Sequence, residues 1–432
     1  MQLAKEPAVR IAAILLVMAA APATAQIPTQ PSAQVASGIS LDSLAKNIVT
    51  NNPERQFYQR QIETAQVERQ AAGRWADPEA VVEFGQRREN DPGTGAPLGD
   101  GPAYAVSIVQ PIEFGGRVAL RRAIAERQID LARIGLQQFD ATLAARARTL
   151  GYGLFAADEK ANAARSVAAR MRTLARVIVS RDPAGPAPRL EAASLQASAI
   201  SAERSAAAAD AEANSMLYEL NQLRGAPFDE RIRIIRPDMK LPDLPPGATL
   251  AANADANNFE LKSLRAQFEQ QGLRVDLARK SRIPIVSVGP YFDRERSNTT
   301  ETNYGLRVST TLPIWNRQAG DVAAEQGKQA QADATLINAE RRIARDVFDQ
   351  AAQYEAKRRT LAQWGSSSPK SFADAAEEAD RNYRLGAIPL TTYSQMQQSY
   401  IDATNAMLDT RREALEELLQ LQALNGGEAL GQ

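Results

Sequence analysis

The chain repeats one arrangement: a helix, two alternating strands, and then a very long helical hairpin. Asn52-Pro53-Glu54 opens a helical run expected over 54–76, stopped by Asp77-Pro78, and Asn258-Phe259-Glu260 opens another expected to end before Pro284. Proline cannot continue a helix interior. Each run is followed by two segments of alternating polarity, a proline, and a long helix. Later, Gly185 and Pro188 match Gly386 and Pro389 in spacing. An internal duplication decides the fold before any local reading does. It implies two copies of a helix–strand–strand–helix unit in one body, although a chain of 432 residues would otherwise suggest two or three domains.

The strands are expected at about 79–88 and 103–112 in the first copy, and at about 285–294 and 304–312 in the second. Ala80, Val82 and Phe84 share one face and Glu83 and Arg87 the other; Tyr104, Val106 and Ile108 line one side of the return strand. Leu306 and Val308 lie opposite Arg307 and Ser309. Each strand is about ten residues long, the length that a tilted membrane β-strand needs. The same alternation also suits a soluble hairpin. Residues 91–102 and 296–302 read as loops, the first rich in Gly and Pro. Tyr104, Tyr291, Tyr304, Phe292 and Trp315 near strand ends suit a membrane-interface belt or ordinary packing.

The helical hairpins are expected at 115–224 and 320–423. The first helix, from Gly115 to Arg181, contains no proline and would run roughly 100 Å. Leu136, Phe139, Leu143, Ala147, Leu150 and Leu154 recur at three- and four-residue steps, a coiled-coil seam. The second copy is interrupted at Trp364-Gly365-Ser366-Ser367-Ser368-Pro369. The units are therefore 41–225 and 251–425, joined by a Pro-bearing linker at 226–250 expected to lie as a belt, with a short tail at 426–432. Ser40 or Asp42 caps the first helix.

Before them, Lys5 and Arg10 precede an apolar stretch, Ile11 to Ala21, and Ala23-Thr24-Ala25 forms a small-x-small site. That is the pattern of a signal peptide over 1–25, followed by a flexible leader at 26–40. Cleavage before Gln26 leaves no cysteine to acylate, so a lipoprotein anchor through cysteine is not expected.

Composition excludes several functions. There is no histidine and no cysteine, so Ser-His-Asp or Cys-His nucleophiles, His- or Cys-based zinc sites and disulfides are ruled out. The 51 basic and 51 acidic residues balance, which removes any bulk electrostatic case for nucleic acid. No catalytic, cofactor-binding or metal-binding residue is assigned and no cofactor is expected; an enzyme is not expected.

Four strands cannot close a barrel, and an open sheet edge in lipid leaves amides unpaired at several kcal/mol each. If these strands enter a membrane, several chains share one barrel. Two chains supply eight strands, enough only for a filled interior; three supply twelve and a lumen.

Three stretches then carry a resemblance: Gln110-Pro111-Ile112-Glu113-Phe114-Gly115-Gly116-Arg117, Leu312-Pro313-Ile314-Trp315-Asn316-Arg317-Gln318-Ala319-Gly320, and Tyr383-Arg384-Leu385-Gly386-Ala387-Ile388-Pro389-Leu390. In order and spacing the chain resembles TolC-type outer-membrane efflux proteins, most closely the heavy-metal (cobalt-zinc-cadmium) efflux branch. The resemblance implies a mainly α fold with a small membrane β-barrel portion. Four strands per chain would complete a trimeric 12-strand barrel on a long α-helical barrel. It implies an outer-membrane exit duct of a tripartite efflux system with a periplasmic helical extension, a homotrimer in outer-membrane lipid. Its partners would be a periplasmic adaptor (membrane-fusion) protein and an inner-membrane pump of RND type, for metal ions or drugs. By position, Asp182, Gly185, Pro188, Arg189, Arg384, Leu385, Gly386 and Pro389 form the periplasmic tip and adaptor-docking turns. Some relatives carry aspartates after the second tip glycine; here Thr391, Thr392 and Gln395 stand as neutral aperture candidates. Pro111, Gly115, Gly116, Pro313 and Asn316 mark the strand-to-helix bends. The other reading that the residues leave open is a periplasmic coiled-coil scaffold without channel activity.

Overall fold

The computed structural model describes residues 38–181, 186–238, 241–312, 318–364 and 369–427. The expected signal peptide, most of the leader, Asp182, Gly185, Pro313 and Asn316 lie outside them.

The chain begins with α1 (Leu41–Asn51) and α2 (Arg55–Ala72), then β1 (Glu79–Asn90) and β2 (Pro97–Ile112), then the hairpin α3 (Arg117–Arg181) and α4 (Pro186–Arg224). The second copy follows as α5 (Gly247–Asn257), α6 (Phe259–Lys280), β3 (Val286–Arg296), β4 (Thr300–Thr310), α7 (Ala319–Gln363), α8 (Pro369–Arg384) and α9 (Leu390–Leu424). Ser40, not Asp42, caps α1, accepting from the backbone N–H of Ser43 at 3.3 Å.

Several boundaries depart from the sequence reading. Helix α2 stops at Ala72, four residues before the expected end, because Gly73 closes it, its N–H reaching Arg69 O at 3.2 Å. Helix α6 likewise ends at Lys280 with Ser281 as its cap. Strand β2 begins at Pro97, not 103, so half of the Gly/Pro-rich loop is strand. Gly99 and Gly101 pair with Glu89 and Arg87, and a Cβ on Gly101 would stand 2.4 Å from Arg296 O. The glycines serve close strand approach there, and only 91–96 remain a turn. Strand β4 likewise begins four residues early, at Thr300.

The helices form one layer rather than two packed layers. In the half nearer the sheet, α2, α3, α6 and α7 lie side by side; in the other half α3 packs between α4 and α9, and α9 against α7 and α8. Two asparagines join the halves. Asn52 accepts from Glu54 N–H at 2.9 Å, and its Nδ2 donates to Leu223 O at the end of α4 at 2.8 Å. Asn258 does the same in the second copy, accepting from Glu260 and Leu261 N–H and donating to Leu424 O at 2.9 Å. Asn258 thus caps the start of α6, Asn52 binds the N–H just ahead of α2, and each also caps an orphan carbonyl at the end of a long helix. So α2 stacks on α4 and α6 on α9 as near-continuous columns.

Small side chains let the columns approach closely. Ala164, Ala168, Ala175, Ala192, Ala199, Ala202 and Ala206 are buried around Leu174 and Leu195 at the far end of the α3–α4 hairpin. Nearer the sheet, Leu143, Ala147, Leu150 and Leu154 of the expected seam pack against Leu44, Ile48, Leu217 and Leu220. Phe139 stacks on Tyr58 with ring centroids 4.5 Å apart. The segment between the copies runs across these columns. Ile234 enters the α1–α3–α4 core, Ile39 bridges to it in parallel, and Tyr354 Oη of α7 donates to Pro242 O at 2.8 Å.

The strands form one antiparallel sheet in the order β1-β2-β3-β4. Among the described residues no helix packs across it. Both outer strands, β1 and β4, therefore end the sheet with a free edge. Among the described residues no helix is long and apolar enough to cross a membrane.

Candidate functional site

Directly paired residues of an antiparallel sheet point to the same side, so the register sorts every side chain. On one face Val82 pairs with Val106, Val106 with Phe292, and Phe292 with Tyr304. The neighbouring rows hold Ala80 and Ile108, Pro290 and Leu306, Val288 and Val308, and Phe84 with Tyr104. This face is bare: Phe84 is 84% exposed, Tyr304 82% and Leu306 74%. In water such a surface is unfavourable. Spread over four strands, it is far larger than a scatter of single exposed apolar residues.

The other face is polar and internally tied. It carries Glu79, Glu83, Glu89, Asp293, Glu295 and Glu301 against Arg87 and Arg307. Arg87 on β1 reaches Glu295 on β3 at 2.7 Å and Glu301 on β4 at 2.6 Å. Arg307 donates to Ser107 Oγ at 3.3 Å and lies over the Tyr291 ring, 5.5 Å from its centroid. Asn303 donates to Asp293 at 3.0 Å. Tyr291 therefore belongs to the polar face. Its place in an interface belt is corrected by its odd register position; Tyr104, Phe292 and Tyr304 stay on the apolar side. A sheet with one polar, carboxylate-rich face and one bare apolar face has the two sides of a membrane-barrel wall.

At the sheet base, Gly115 (φ 78°) and Gly116 (φ 75°) turn the chain from β2 into α3. The positive φ is what requires glycine at Gly115; a Cβ there would meet only the end of the Ile283 side chain, at 2.9 Å. The buried Arg117 fastens the bend, donating to Lys280 O at 3.1 Å, while Arg121 pairs with Glu113. Pro111 sits just before, within β2, opposite Ser287. At the second crossing Gln318 begins α7 at φ 51°.

At the opposite end, α8 and α9 turn through Gly386 (φ 74°). Gly386 N–H bonds to Tyr383 O and Ala387 N–H to Asn382 O, a helix-ending αL turn. Pro389 is the extended N-cap of α9, and Leu385 stands 81% exposed at the tip. Pro188 and Arg189 fall in the first turn of α4. Thr391, Thr392 and Gln395 are exposed on the first two turns of α9, and within one chain they converge on nothing.

Beside that tip lies a contact set that the sequence reading missed in part. Asp380 accepts from Arg384 Nε at 2.8 Å and from Tyr393 Oη at 3.1 Å. Tyr393 is fully buried and stacks on Tyr383, centroids 5.1 Å apart; Tyr383 Oη donates to Glu191 of α4 at 3.3 Å. Burial, with the Asp380 carboxylate beside it, raises the Tyr393 phenol above its ordinary pKa. The Asp380–Arg384 pair was legible as an i,i+4 spacing. The link from Tyr383 to Glu191 was not, because the two are 192 positions apart.

Compared with known proteins, residues 250–427 match the family model described as outer membrane efflux protein. The chain is 27% identical over 261 residues to the nickel-cobalt-cadmium resistance protein NccC of Alcaligenes xylosoxydans xylosoxydans. That match spans only 58% of this chain and 57% of NccC. Its fold is similar to that of a membrane protein from Pseudomonas aeruginosa, at a TM-score of 0.72 and 17% identity over 94% of this chain and 97% of that one. It is also similar to the CmeC outer membrane channel of Campylobacter jejuni, at a TM-score of 0.69 and 15% identity over 90% of this chain and 86% of that one.

Proposed function

We propose, from the match of residues 250–427 to the outer membrane efflux protein model and from the bare sheet, that the chain is one third of a passive exit duct in the outer membrane. Three copies join their free sheet edges, β4 of one to β1 of the next, into a twelve-strand barrel with a lumen. The single observation that carries the reading is the four-strand sheet with a bare apolar face and two unpaired edges. In lipid that face is satisfied and the edges must be closed. The helical layer needs partners too: Phe57, Val67, Leu190 and Ile200 lie exposed on the α2–α4 column, and Ile337 and Phe348 on α7. A periplasmic scaffold, the competing reading, has no use for a large apolar face that no helix covers.

The duct receives cargo at the α8–α9 tip from a periplasmic adaptor and an inner-membrane pump of RND type, which supplies the energy. Similarity to NccC and the excess of carboxylates on the inner face both favour metal cations as cargo. The residues Asp182, Gly185, Pro188, Arg189, Arg384, Leu385, Gly386 and Pro389 are the docking turns in this reading, and Thr391, Thr392 and Gln395 line the aperture. The Tyr383–Glu191 and Asp380–Arg384–Tyr393 contacts hold the resting tip closed.

The test is fractionation followed by planar-bilayer recording of the purified full chain. Sedimentation with outer membrane and a stepwise conductance are expected. A soluble, non-conducting protein overturns the reading.

A further inference from the structure

Arg87 and Arg88 are adjacent, yet the pleat sends them to opposite faces. Arg87 turns inward to Glu295 and Glu301. Arg88 turns to the apolar side, and so do Arg294 and Arg296. The three are exposed, and none has a side-chain hydrogen bond or ion pair among the described residues. They sit at the hairpin-turn end of the sheet, Arg294 at the end of the last apolar row and Arg88 and Arg296 beyond it. Arg294 is paired in register with Tyr104, and Arg296 lies one row farther out, opposite Thr300. Asp100, across from Arg88, is the one carboxylate in these outward rows, which leaves two net positive charges per chain.

Signs are sorted by face. At the same height the inward side carries Glu89, Glu295 and Glu301 against Arg87 alone, a net negative balance. A rim that water alone surrounds has no reason to separate cations outward from carboxylates inward. The helices leave the sheet at its other end, so in the barrel reading this rim lies at the outer leaflet.

We propose that Arg88, Arg294 and Arg296 bind the phosphorylated headgroups of outer-leaflet lipid, of the kind that lipopolysaccharide carries. The inference rests on the barrel reading and names the lipid that the barrel contacts. The planar guanidinium fork matches phosphate oxygens two at a time, and the apolar rows directly below it match the acyl chains of the same molecule.

The full chain is reconstituted into vesicles of neutral lipid alone, with lipopolysaccharide, or with dephosphorylated lipopolysaccharide, and the lipopolysaccharide retained per protein is titrated. One arginine near an anionic lipid surface strengthens association about fivefold, so R88Q/R294Q/R296Q is expected to bind roughly a hundredfold more weakly, and R294Q alone about fivefold. Removing the phosphates abolishes the difference between variant and parent, and millimolar inorganic phosphate does not compete. R341Q/R359Q, on the helices, binds like the parent. Conductance of the triple variant reports that it still assembles; if it does not, R294Q alone carries the test. Equal retention by parent and variants, all inserted, overturns the rim and leaves the barrel standing. Parent protein that enters no vesicle overturns the barrel reading itself.

Discussion

At the residue scale, the duplicated asparagines and the buried tyrosines carry more of the fold than their number suggests. Asn52 and Asn258 each hold two helix ends at once, so Asn52→Ala or Asn258→Ala is expected to destabilise by about 1–2 kcal/mol. Thermal unfolding of the detergent-purified protein reads the loss, and Asn→Asp, which keeps the acceptor but removes the donor, separates the two roles. Burial pushes the Tyr152 phenol up to about 12 and raises Tyr354 and Tyr393 in the same direction. Raised folded-state values mean that the stability from these phenols is complete below the ordinary value of 10.0 and is lost as pH climbs through the folded value. The expected result is unchanged tyrosine-linked stability up to about pH 9 and a decline between 10 and 12, with phenolate absorbance rising only as the helices melt. Tyrosines that ionise near 10 in the folded protein would refute that burial.

Among elements, the sheet makes a sharp contrast because neighbouring residues on one strand face different media. Leu306→Arg puts a charge on the apolar face. It is expected to cost about 2–4 kcal/mol of insertion and to deplete the outer-membrane fraction. Asn303→Arg, three positions away on the polar face, is expected to insert normally and to reduce cation preference, measured as a shift in reversal potential under a salt gradient. Equal insertion of both variants would mean that neither face meets lipid. Little of this depended on long-range information. Period-two alternation placed Val82, Phe84, Val106 and Leu306 on their side correctly. For Tyr291 aromatic character alone leaves a belt and ordinary packing both open, and its odd position puts it with Asp293 and Glu295.

For the whole molecule, an open sheet and exposed apolar residues such as Phe57, Val67, Leu190 and Phe348 on the helices leave surface uncovered in the single chain, so under the proposed duct reading assembly and gating belong to several copies together. Tyr383→Phe removes the tie to Glu191, and Asp380→Asn weakens the ties to Arg384 and Tyr393. Each is expected to raise the open-state dwell of the duct in bilayer recordings, the double variant more than either, with the barrel fraction unchanged. Conductance identical to the parent in both places the gate elsewhere.

The sequence alone determined the elements and their duplication. Proline-free runs of small residues make long helices, period-two alternation makes strands, and glycine with positive φ makes the bends at Gly115 and Gly386; all of these are local consequences of the backbone and Cβ. Only the tertiary structure decided which residues meet across long separations. It set the register that puts Arg87 between two carboxylates and leaves Arg88 alone. It also set the stacking of α2 on α4 through Asn52, and the reach of Tyr383 to Glu191. Those contacts follow from how whole elements pack, a cooperative outcome with no signature in any short stretch of chain.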